Sequence, residues 1–250
     1  MSASINPTVR RRRLGAELRR LRETLGMTAE EVAGRLMVSQ SKISRLENGR
    51  RSISQRDVRD LCDVYIGLEA EASSIRAYES SFVPGLLQTQ AYAEAVVLGT
   101  QPDTDATAVS RRVEVRLKRQ SRIYGENQLG SLWAVIDEAV LRREVGGPEV
   151  MYRQLNQLLD LSARSNINLQ VIPFSHGAHP GMTGTFSLME FPESADSTVV
   201  YFEGVTSDLY LEKDADVRRY TGLYDHLRAA ALSVAESRSL IAKIAEGYQP

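Results

Sequence analysis

The chain has 250 residues, with 31 Lys and Arg against 32 Asp and Glu and a hydrophobic share of 42%. That length suits one large domain or two ordinary ones, and the apolar share is enough for packed cores. Cys62 is the only cysteine, which excludes an internal disulfide, and no run of about 18 apolar residues is present to span a membrane as a helix. The start, MSASINPTVRRRR, lacks the apolar stretch of a secretion signal, so a cytoplasmic location is expected. The net charge of −1 hides an asymmetry: residues 1–60 hold 14 Lys and Arg against 7 Asp and Glu, leaving 17 against 25 for residues 61–250. A basic head of +7 attracts polyanions, whereas an acidic body of −8 does not wrap them.

In chain order, Arg10 to Arg13 form a basic run suited to lying along a phosphate backbone, or else to a solvated helix start. Leu14, Leu18, Leu21 and Leu25 recur at three- and four-residue spacing and predict a first helix ending at Gly26. Thr28 and Glu31 make a capping box for a second helix, whose Val32, Ala33 and Leu36 share one face. Met37 and Val38 lead to Ser39, an N-cap residue for a third. There Ile43 and Leu46 point inward, while Ser41, Ser44, Arg45 and Asn48 point outward and Gln40 projects from the leading end. Asn48-Gly49 supplies the stop, and Val58, Leu61, Cys62 and Tyr65 predict a fourth helix.

The run GAELRRLRETLGMTAEEVAGRLMVSQSKISRLENGRRSIS resembles the helix-turn-helix of the XRE (phage-repressor-like) regulators. The resemblance implies that the helix from Ser39 to Asn48 enters the major groove of double-stranded DNA. Gln40, Ser41 and Arg45 would then read bases, since Gln pairs bidentately with adenine and Arg with guanine. Lys42 and Ser44 belong to the same DNA-binding set, and Asn48, Arg50 and Arg51 would grip phosphate. Arg22 and Glu47 occupy positions that form a mostly buried ion pair in similar domains. One departure is Ala29, where many relatives carry Gln, which puts a contact near the edge of the site in doubt.

After about residue 66 the pattern changes. SSIRAYESSFVPGLLQTQ reads as an extended segment with a Pro84-Gly85 turn, followed by a helix that Thr89 caps. A helix between Thr104 and Arg122 carries Val109, Val113, Leu117 and Gln120 on one side. Arg111, Arg112, Arg116, Lys118, Arg119 and Arg122 flank it, as a solvated face paired with the acidic body or as a second phosphate-binding surface. LWAVID is a compact strand, followed by a helical EAVLRREVG, a long helix from Pro148 to about Ser165, and a second core strand from Asn168 to Phe174. The intervening helices are long enough for a parallel crossover. TFSLMEF, TVVYFE and DLYLE suggest an antiparallel meander, and helices begin again near Asp214. The expected fold is an all-α helix-turn-helix domain, 1–66, then an α+β domain, 67–250, with a mixed sheet of five or six strands.

The segments YESSFVPGLLQTQAYAEAV, VIDEAVLRREVGGPEVMYRQLNQLL and NLQVIPFSHGAHPGMTGTFSLMEF resemble one uncharacterised domain. It follows XRE modules in many actinobacterial regulators. The resemblance implies links to development and secondary metabolism, and a small partner protein encoded nearby in an antitoxin-toxin-like arrangement. It names no biochemical activity. In relatives several tens of residues, including a fifth helix and an aromatic-rich linker, precede the LEAEA segment, whereas here Tyr65 runs straight into Ile66.

The loop PFSHGAHPGMTG holds His176 and His179 after a strand, and Asp137 and Glu138 end the preceding strand. Ser175 beside His176 is not a nucleophile elbow, and no C-x-x-C, H-E-x-x-H, phosphate-binding or dinucleotide motif accompanies the loop. No catalytic residue, metal or cofactor is therefore assigned, and a small ligand or peptide is the expected occupant if the loop binds anything. The expected function is that of a DNA-binding transcriptional regulator. It would act as a homodimer, because one small module reads too few bases alone. Its C-terminal domain would sense a ligand or bind a protein partner. The alternative is an antitoxin-like protein that holds a small cognate partner and autoregulates its operon.

Overall fold

The computed structural model describes residues 15–50 and 72–249, apart from 17, 21, 24, 25, 37, 103, 125–128, 192–197 and 204–208. The readings of Arg10 to Arg13, Arg51, the helix around Cys62 and the Tyr65–Ile66 junction lie outside the described residues, as do Leu14, Leu21, Leu25 and Met37. The described residues fall into two compact units, 15–50 and 72–249.

In the first unit α1 lies within residues 15–23, α2 spans Ala29–Arg35 and α3 spans Gln40–Glu47. Local chemistry sets these limits. Gly26, at φ 63°, closes α1 as its N–H donates to Glu23 O while Met27 N–H donates to Arg22 O. Gly49, at φ 66°, closes α3 in the same way, with Gly49 N–H on Leu46 O and Arg50 N–H on Arg45 O. Both pairs form the Schellman arrangement, whose left-handed residue is cheapest as glycine. Thr28 caps α2 reciprocally: Glu31 N–H donates to Thr28 Oγ1 at 3.1 Å, and Thr28 N–H donates to Glu31 Oε2 at 2.6 Å. Leu18, Val32, Ala33, Ile43 and Leu46 form the core of this unit, with Met27, Ala29, Leu36 and Val38 packed against it.

The second unit is built on a mixed six-stranded sheet in the order β3-β2-β1-β4-β5-β6. The strands are β1, Ser74–Glu79; β2, Ser131–Asp137; β3, Ile167–Ile172; β4, Phe186–Glu190; β5, Thr198–Phe202; and β6, Leu209–Leu211. The first three run parallel, and β4, β5 and β6 continue from β1 as an antiparallel meander. Thus the segment read only as extended is β1, the strand that joins the parallel and antiparallel halves. The crossover from β1 to β2 carries α4, Gln90–Thr100; α5, Ala106–Arg119; and α6, Ser121–Tyr124. That from β2 to β3 carries α7, Glu138–Arg142, and α8, Pro148–Leu161. The chain finishes with α9, Asp214–Ala230, and α10, Val234–Glu246.

Strand pleating sends alternate residues to opposite faces. On one face Tyr78, Val135, Ile172, Phe186, Leu188 and Val200 pack with Tyr224 and Leu227 of α9. The alternate set, including Ile75, Ala77, Leu132, Ala134, Leu169 and Val171, is equally buried, and α10 lies against both β3 and α8. The free edge of β3 is covered: Val171 N–H donates to Ser237 Oγ at 2.9 Å and Leu232 N–H donates to Val171 O at 2.9 Å. Gly85 does not reverse the chain through a left-handed φ but opens a short 3-10 turn, Gly85–Leu87. Buried Gln154 of α8 ties the end of this turn to the start of α4, donating to Leu87 O at 2.9 Å and accepting from Thr89 N–H at 2.7 Å.

Candidate nucleic-acid interface

The faces of α3 differ sharply. Ile43, Leu46 and Glu47 are buried, whereas Gln40, Ser41, Ser44, Arg45 and Asn48 are exposed, as is Arg50 just beyond the helix. Lys42 is half-buried. The structure therefore brings together on one outward stripe all the sequence-derived residues except Lys42, which sits at its margin, and Arg51, which is not described.

A buried ion pair fixes that stripe to the scaffold. Arg22 Nε donates to Glu47 Oε1 at 2.8 Å and Nη2 to Oε2 at 3.0 Å, while Nη1 donates to Met27 O at 2.8 Å. Side-chain exposures of 13% and 5% keep the pair nearly out of water, where a two-pronged carboxylate bond is strongest. Gly15 permits this closeness, because a Cβ there would stand 2.7 Å from Leu46 O and closer still to Glu47 O.

The exposed polar groups engage one another along the helix. Arg45 Nε donates to Ser41 O at 2.9 Å and Nη2 to Ser41 Oγ at 3.2 Å. Asn48 Nδ2 donates to Ser44 O at 2.8 Å. Ser39 occupies the N-cap position without a side-chain cap bond; its hydroxyl instead lies 3.1 Å from Ser41 Oγ. Sequence spacing missed these contacts because side chains of this length reach either the helix or a ligand, and spacing alone does not choose between them.

In the second unit the crowded cations of α5 are partly drawn inward. Arg116 donates to Gln88 Oε1 at 2.7 Å and Arg122, in α6, donates to Ala72 O, whereas Lys118 stays exposed and pairs with Glu114 at 2.7 Å. His179 Nε2 lies 3.1 Å from Asp137 Oδ2, with the histidine side chain only 3% exposed. Asp137 also caps α7 by accepting from Ala139 N–H at 2.8 Å. Glu138 accepts from Phe174 N–H at 2.8 Å and pairs with Arg142 at 2.6 Å. These carboxylates thus hold the 173–184 loop against the ends of the parallel strands. Tyr78, unremarked in the sequence, lies beneath it: its ring centroid is 6.0 Å from that of His179, and a Cβ at Gly181 would collide with it. Burial first, then Asp137 and Glu79, push the Tyr78 hydroxyl well above the usual phenol range. Among the described residues no group of three or more His, Cys, Asp and Glu is gathered to hold a metal ion. Among them, too, no helix is long and apolar enough to cross a membrane.

Comparison with known families covers most of the chain. A model described as a helix-turn-helix domain matches residues 13–74. A second, the domain of unknown function DUF5753, matches residues 62–243. The chain belongs to the DUF5753 family and carries a helix-turn-helix domain at its N-terminal end. No curated protein and no solved structure matches it.

Proposed function

We propose that this member of the DUF5753 family is a sequence-specific, double-stranded-DNA-binding transcriptional regulator of the XRE type, cytoplasmic and dimeric, from an actinobacterial lineage. The observation that carries the reading is the two-faced α3: one side is anchored by Ile43, Leu46 and the Arg22–Glu47 pair, and the other presents Gln40, Ser41 and Arg45 to solvent. In the groove, Arg45 exchanges its bonds to Ser41 for a guanine edge, and Gln40 takes an adenine. Ser41, Lys42 and Ser44 complete the contact surface. Asn48, Arg50 and Arg51 hold phosphates, which sets register without reading sequence. The test is selection of bound duplexes from a random pool by the full chain. Enrichment of a two-part motif with half-sites about one helical turn apart supports the dimeric reading.

The C-terminal unit supplies the response in this reading, as a ligand sensor and without a catalytic step. His179, in the 173–184 loop, packs its nearly buried ring against Asp137, which also caps α7, and these contacts hold the loop in place. Turnover that disappears in His179→Ala or Asp137→Ala would overturn the non-catalytic reading. A protein-partner reading, in the manner of an antitoxin, draws on Phe174 and Met182, which expose 57% and 69% of their surface on that loop. Co-purification of a small neighbouring gene product, abolished by Phe174→Ser with Met182→Ser, would favour the partner over the ligand.

A further inference from the structure

A cleft of about 600 Å³ lies along the outer side of α8, within the range of small-molecule sites. Helical spacing builds its floor. Tyr152, Asn156 and Asp160 fall four residues apart on one stripe, with Arg153 and Gln157 on the next. Tyr124 of α6 and Arg164, in the turn after α8, complete its far wall.

Three features of this lining point to a ligand. The Arg164 guanidinium stacks over the Tyr124 ring at 5.3 Å, and its buried Nε has no hydrogen-bond partner among the described residues. Arg153, by contrast, is paired with Glu149 at 2.5 Å. Tyr124 keeps 52% of its surface exposed although it is a large aromatic, leaving a flat apolar wall. Asn156 and Gln157 use their amide nitrogens on backbone carbonyls, Tyr152 O at 2.8 Å and Leu87 O at 3.0 Å. Their amide oxygens therefore remain as acceptors, beside the Asp160 carboxylate. Burial raises the Tyr124 hydroxyl above the usual phenol range, opposed by Arg164 and assisted by Asp160.

We infer that this cleft binds a flat aromatic carboxylate that also carries an N–H or O–H donor. The carboxylate takes the guanidinium fork of Arg164, the ring lies against Tyr124, and the donor meets Asn156, Gln157 or Asp160. The inference rests on the reading of the C-terminal unit as a sensor and names the chemistry it senses.

The test uses the full chain and three probes, indole-3-acetate, 4-hydroxyphenylacetate and anthranilate, with indole-3-acetamide as the neutral control. Saturation-transfer NMR and calorimetry read binding, and DNA binding is measured on the same preparations. At least one acid should bind and the amide should not. Arg164→Leu and Tyr124→Ala should each weaken the acid about tenfold or more, the effect of losing one charge-assisted bond or one ring contact. Circular dichroism on each variant checks that its fold is kept, and Arg164→Lys, which keeps the charge without the fork, should fall between. Binding by none of the acids, or binding indifferent to Arg164→Leu, overturns the inference. If DNA binding persists in that case, the regulator reading stands without it; if DNA binding is also absent, the regulator reading falls as well.

Discussion

Glu47→Ala should destabilise the helix-turn-helix unit severely while leaving the exposed stripe of α3 chemically unchanged. The substitution removes both oxygens that Glu47 offers Arg22, whose side chain is only 13% exposed and which also donates to Met27 O at 2.8 Å and lies 3.8 Å from Glu23. Breaking a buried ion pair in this way costs about 3–5 kcal/mol, and the other contacts of Arg22 with its partial access to water place this case near 3 kcal/mol. At roughly 0.05–0.15 kcal/mol per residue, a unit of about 60 residues holds only about 3–9 kcal/mol in all. Hydrogen exchange followed by mass spectrometry is the assay. Peptides covering α2 and α3 should lose most of their protection, while those covering β1 to β3 should not change. Replacing both partners, Arg22→Met with Glu47→Leu, should restore much of the protection, because an apolar pair leaves no charge behind. Unchanged exchange in α2 and α3 of Glu47→Ala would refute the view that this pair fixes the helix.

Gly49→Ala places a side chain at φ 66° and should cost about 1 kcal/mol, read as a lowered denaturation midpoint of the first unit. Thr28→Ala should cost α2 a similar amount, about 1 kcal/mol, through its cap. Glu31 and Glu236 are held below the ordinary carboxylate value by their Thr28 and Ser233 partners. Their stabilisation is therefore present above about pH 4.5 and lost as pH falls through the lowered values, and melting curves of Glu31→Gln and Glu236→Gln should lose that acid dependence. Glu79 behaves oppositely. Burial first, then Glu203, push it from 4.5 up to about 8, with Arg116 opposing. The folded state thus holds a proton that the unfolded chain releases, and wild-type stability should fall relative to Glu79→Gln as pH rises from 4.5 to about 8. His179→Ala should speed exchange in residues 174–184 and leave α7 alone, because Asp137 keeps its cap on Ala139.

The parts legible in the sequence are those fixed by neighbours in the chain. Thr28 with Glu31 and the Gly49 stop all act within one turn of helix, so spacing alone marks the limits of α2 and α3. The same is true of Thr89, whose hydroxyl accepts from Tyr92 N–H at 3.2 Å. Strand pairing is different. SIRAYE reads as extended, but its place between β2 and β4 depends on partners far along the chain, Ser131 to Ile136 on one side and Phe186 to Glu190 on the other. The stack of Arg164 on Tyr124 and the seating of Tyr78 under Gly181 are equally non-local, and neither residue stood out in the sequence. In the DNA-facing stripe the outward set was legible from periodicity. The bonds from Arg45 to Ser41 and from Asn48 to Ser44 were not, since they depend on rotamers.

The central claim is that α3 reads sequence. Selection of bound duplexes from a random pool, run in parallel for the full wild-type chain and for Arg45→Ala and Arg50→Ala, tests it most directly. Wild type should enrich one motif; Arg45→Ala should relax preference at one or two base pairs by about 1–3 kcal/mol, and Arg50→Ala should weaken all sequences and flatten the salt dependence. No enrichment by wild type, or equal losses on selected and random DNA for Arg45→Ala, would contradict the account.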